Sequence, residues 1–110
     1  MIEKTIYDYL VSKNIPVYMQ TPANPPEEYV LIEKTGSGKR NHIKSATIAL
    51  QSYAGSLYSA AVLNERVKDA MDEAIELNDI SNTSLNSDYN FTDTTTKKPR
   101  YQAVYDITHY

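Results

Sequence analysis

A chain of 110 residues with 41% hydrophobic content has room for one domain around a single core and none for an independent second one. Fourteen acidic against eleven basic side chains give a formal charge of −3, so the bulk charge draws in neither nucleic acid nor an anionic membrane. The absence of cysteine excludes disulfides, thiolate catalysis and the usual structural zinc centres.

The opening "MIEKTIYDYL" carries charge at Glu3, Lys4 and Asp8, which argues against a secretory signal or membrane span and for a cytoplasmic protein. Glycosylation-type matches at Asn82 and Asn90 are then read as chance. Ile2, Ile6, Tyr9 and Leu10 fall on one helical stripe, and Lys13, Asn14 and Pro16 have the composition of a helix end, which predicts a helix over residues 2–13. "VYM" is a short extended piece. The three prolines of "QTPANPPEE" lack backbone donors and mark a loop leading into the strand "YVLIEKT". "KTGSGKRNH", residues 34–42, reads as a flexible basic turn. Beyond it, "SATIALQSY" puts Ala46, Ile48 and Leu50 on one face and Thr47, Gln51 and Tyr53 on the other, so the two strands predict a hairpin.

The clearest helix begins near Ser56 and continues through "LYSAAVLNERVKDAMDEAIEL", with Ala60, Leu63, Val67, Ala70, Met71 and Ala74 as its apolar stripe. From Ser84 to Phe91, Leu85, Tyr89 and Phe91 alternate with polar residues, which predicts a half-buried strand. "TDTTTKKPR", residues 92–100, offers nothing for a core to retain and predicts a mobile loop or a bent hairpin tip whose cations act as surface charges. "YQAVYDITHY" returns Ala103, Tyr105 and Ile107 to the core, and as the final segment it is expected to offer an uncovered edge to a neighbour. The expected fold is α+β: a mostly antiparallel sheet of about four strands with two helices packed on it, forming a single domain over residues 1–110.

Several chemistries are tested by these residues and set aside. A phosphate loop ending at Gly38 and Lys39 would need glycine where Glu33 stands and a hydroxyl where Arg40 stands, so nucleotide binding is not expected. Glu65, Asp69, Asp72, Glu73 and Glu76 form an acidic helix face, read as a solvated surface rather than an acid–base pair. His42 and His109 are the only histidines, and neither accompanies a nucleophile elbow or a metal-binding motif, so both are read as surface histidines. The expectation is a protein with no catalytic residues, no cofactor and no metal. Ten tyrosines with no tryptophan suit a sheet core and a protein interface equally. The alternative function is a small nucleic-acid-binding or regulatory α+β domain, for which the basic group Lys39, Arg40 and Lys44 is small.

The order of segments in "PPEEYVLIEKTGSGKRNHIKSATIALQSYAGSLYSAAVLNERVKDAM" and "LNSDYNFTDTTTKKPRYQAVYDITHY", with the "IALQSYAGS" junction and the "YNFTD" to "YQAVYDI" ending, resembles the tail-completion or tail-terminator proteins of long-tailed bacteriophages and prophages of Gram-positive bacteria, also described as minor capsid or head-to-tail joining proteins. The resemblance covers the chain from about Pro25 to the end. It implies a non-enzymatic subunit that assembles with itself as a ring, commonly a hexamer, in the virion tail, built in the host cytoplasm. Such a ring caps the tail tube protein and meets the head-completion or connector protein; DNA passes through without specific binding, and no membrane is involved. The residues expected to meet partners are Lys39 and Arg40 in the basic turn, Lys97, Lys98 and Arg100 in the polar loop, and Thr108, His109 and Tyr110 at the last strand's end.

Overall fold

The computed structural model describes the whole chain except Asn41, His42, Asp79 and Asp93, and at Arg40 and Ile75 it describes the backbone alone. The reading of His42 as a surface histidine therefore lies outside the described residues.

The first helix, α1 (Ile2–Ser12), buries Ile2, Ile6 and Leu10, the stripe that its spacing predicts. It ends where Asn14 takes a φ of 62°, the left-handed conformation that asparagine tolerates better than most residues. A two-residue strand, β1 (Val17–Tyr18), then pairs in parallel with the start of β2 (Tyr29–Arg40). β2 pairs antiparallel with β3 (Ile43–Tyr53) along its length, slipping register by one residue at Thr35. Ser56 caps α2 (Leu57–Asp72): its side chain accepts the Ser59 N–H at 3.1 Å, as expected of serine at a helix start. A single 3-10 turn, Ala74–Glu76, leads to β4 (Ile80–Asn90), and β5 (Arg100–His109) completes the sheet.

The architecture is α+β, with a five-stranded mixed sheet in the order β1-β2-β3-β5-β4 and two helices. Val30, Ile32, Ile48, Leu50, Ala103, Tyr105 and Ile107 meet the apolar stripes of both helices in one buried cluster, leaving the other sheet face without a helix. Each fully buried aliphatic side chain in that cluster contributes about 1.5–3 kcal/mol to folding.

Three expectations are corrected. The glycines of "KTGSGKRNH" do not make the turn: Gly36 and Gly38 lie within β2, paired with Thr47 and Ser45. Leu85, Tyr89 and Phe91 do not share a half-buried face. β4 slips register at Asn86, which puts Leu85 opposite Tyr105 on the helix side and Tyr89 opposite Gln102 on the open side, with all three exposed. The last strand is not an edge. β5 lies between β3 and β4, so Thr108 and His109 are paired on both sides, and the long uncovered edge belongs to β4.

Candidate functional site

At one end of the sheet the β2–β3 hairpin extends past the helix layer as an arm, with residues 33–39 and 43–45 exposed on both faces. Alongside it, against the first turn of α1, is an open groove of about 430 Å³ lined by Ile2 and Ala46 and rimmed by Lys34, Lys39, Lys44 and His109. Glu3 sits in this groove 3.6 Å from the Lys34 ammonium, leaving Lys39, Lys44 and His109 without a carboxylate partner among the described residues. Lys39 and Lys44 are direct cross-strand partners, an arrangement of like charges that weakens a sheet.

The opposite end of the open face holds an aromatic and cationic cluster. Tyr29 and Tyr53 stack with centroids 4.7 Å apart and planes 8° from parallel. The Lys98 ammonium lies 4.8 Å and 5.1 Å from these two rings and donates to the Tyr29 hydroxyl at 2.8 Å. Arg100 lies against Phe91 and Tyr53, 4.4 Å and 5.4 Å from their centroids, and donates to the Tyr53 hydroxyl and the Phe91 carbonyl, each at 2.8 Å. A polar chain crosses the face from there: Tyr53 Oη donates to Gln51 Oε1, Gln51 Nε2 to Gln102 Oε1, and Gln102 Nε2 to Tyr89 Oη.

The flank formed by α2 and β4 is acidic. Asp88 accepts from Asn64 and Lys68, and Lys68 also pairs with Glu65 at 2.7 Å. Hydrogen bonds from Lys68 to these two carboxylates hold its ammonium well above the usual lysine range. Beneath it Tyr105, 2% exposed, has a hydroxyl with no hydrogen-bond partner among the described residues. Burial, reinforced by Asp72, pushes the Tyr105 phenol up to about 12.

The eight residues expected to meet partners separate into two groups. Lys39 and His109 share the groove, and Tyr110 lines a smaller cavity beside it with His109 and Lys44. The Arg40 side chain lies outside the described residues. Thr108 is held within the sheet. Lys97, Lys98 and Arg100 lie about 30 Å away, since Arg100 pairs with Tyr53 at the far end of β3 from Lys44 and His109. Lys98 and Arg100 are engaged by rings rather than held as free surface charges, whereas Lys97 is exposed, at a φ of 57°. Sequence reading missed the pairing of Lys34 and Lys44 with His109 around one groove. The signal was present as a run from Lys34 to Asn64 with four cations and no acid.

Among the described residues, no three His, Cys, Asp or Glu side chains group so as to hold a metal ion, and no helix is long and apolar enough to cross a membrane. No protein-family model matches the chain, and no curated protein matches it either.

Proposed function

We propose that this chain is a non-enzymatic virion-assembly protein of the tail-completion class, a tail-terminator-like subunit that forms a ring, commonly a hexamer, capping the phage tail tube and joining it to the head connector. The observation that carries this reading is the arrangement of two long hairpins in one sheet, linked by α2, with both helices on one face and a basic arm projecting past them. That arrangement gives the segment order behind the tail-terminator resemblance a physical use. The arm, the acidic flank and the helix-free face are separate surfaces, as a subunit with a neighbour on each side and partners above and below requires. The net charge of −3 suits a channel that lets DNA pass, because few phosphates would be neutralised along it.

The test is mass in solution across concentration, by light scattering. A closed oligomer is expected, at six times the subunit mass if the ring is a hexamer. A chain that stays monomeric throughout, yet binds single-stranded oligonucleotides, would favour the nucleic-acid-binding alternative instead.

A further inference from the structure

Charge is segregated along this chain more sharply than its small net value suggests. Between Lys34 and Asn64 there are four cations and no acid, whereas from Glu65 to Asp93 there are eight acids against two cations. The fold puts the first group on the arm and its groove, and Glu65, Asp72 and Asp88 of the second on the flank of α2 and β4. On that flank Leu85 is 46% exposed opposite Tyr105, and Asp72 and Asp88 lie near enough to raise the Tyr105 phenol. One surface is therefore an apolar lining with a basic rim, and the other an apolar side chain among carboxylates.

We infer that the arm groove of one copy receives the α2–β4 flank of a second copy, with Lys39 and Lys44 meeting Glu65 and Asp72. The contact rests on the ring reading above and names the two surfaces that would make it. Two further observations favour it. The direct opposition of Lys39 and Lys44 is a local cost to the hairpin that neighbouring carboxylates relieve. The uncovered β4 edge slips register at Ser81 and Asn86, and such irregularities discourage strand-on-strand addition, so this flank is suited to a side-chain contact. No residue lines both surfaces, so the contact is heterologous, and repetition with a closing rotation gives a ring.

A charge exchange tests this. One variant carries Lys39→Glu and Lys44→Glu; the other carries Glu65→Lys and Asp72→Lys. All four positions are exposed, and thermal melts check that both variants fold. Each alone should self-associate roughly tenfold or more weakly than the wild type at low salt, because like charges then face each other. An equimolar mixture should recover the wild-type mass, since every groove then finds a flank of opposite sign. A wild type that assembles while both variants assemble equally well, or while the mixture recovers nothing, overturns this contact and leaves the ring standing. A wild type that never assembles overturns the ring and this contact together.

Discussion

Tyr105 shows what a single group contributes and when it stops. Its hydroxyl is buried without a hydrogen-bond partner among the described residues, and removing an unpaired buried polar group is neutral or stabilising by about 1 kcal/mol. Tyr105→Phe should therefore melt at or slightly above the wild-type temperature at neutral pH. The folded-state phenol is raised from 10.0 to about 12, so the folded chain holds its proton more tightly than the unfolded one. That contribution is complete below pH 10 and is lost as pH rises to about 12. Denaturant titrations across this window should show the wild type losing stability faster than Tyr105→Phe; parallel curves would contradict the assignment. Lys98 and Arg100 make the same point about context. As free surface charges they would contribute almost nothing, but each lies against two rings, and such contacts are worth about 0.5–2 kcal/mol. Replacing Lys97, Lys98 and Arg100 by serine should lower stability by about 1–3 kcal/mol in urea unfolding, with Lys97→Ser alone near zero.

At the scale of elements, β4 is held from both sides. Its edge is uncovered and its register slips twice, so the clamp from α2 matters: Asn64 and Lys68 both donate to Asp88 across the gap between helix and strand. Lys68→Met keeps the aliphatic stem but leaves Asp88 with one donor, which should cost about 1–3 kcal/mol. Hydrogen exchange should show the loss concentrated in β4, with β3 unchanged; uniform acceleration across the sheet would mean the clamp is not local. The elements also show what could be read in advance. Ala46, Ile48 and Leu50 alternate without interruption, and the structure buries them as that alternation requires. The helical stripes at Ile2, Ile6 and Leu10 and at Leu63, Val67 and Met71 were equally legible, because burial repeats with the backbone period. Leu85 and Tyr89 were not, because the extra residue at Asn86 moves the rest of the strand to the other face and leaves no mark in composition. Gly36 and Gly38 misled for a related reason. No glycine here takes a positive φ, so these two sit in ordinary extended backbone on an arm exposed on both faces, where little packing is lost without a side chain.

For the whole molecule, the arrangement of strands decides which surfaces are left open, and chain order hides it. The final strand reads as an edge only if sheet order follows sequence order. β5 instead inserts between β3 and β4, so Thr108 and His109 are paired on both sides. The same insertion brings His109 beside Lys44 and places the acidic β4 flank at the sheet's outer limit, which sets basic and acidic surfaces apart on one subunit. Separated surfaces of opposite charge suit head-to-tail assembly, which closes into a ring where the rotation between copies allows, and most of that attraction is screened beyond about 10 Å at 0.1 M salt. The most direct measurement is therefore the light-scattering mass of the wild-type chain across concentration at low and at high salt. The account predicts one closed species, six subunits if the ring is hexameric, that forms at low salt and weakens as salt rises. A mass that stays at one subunit at every concentration, or that grows without limit, would contradict it.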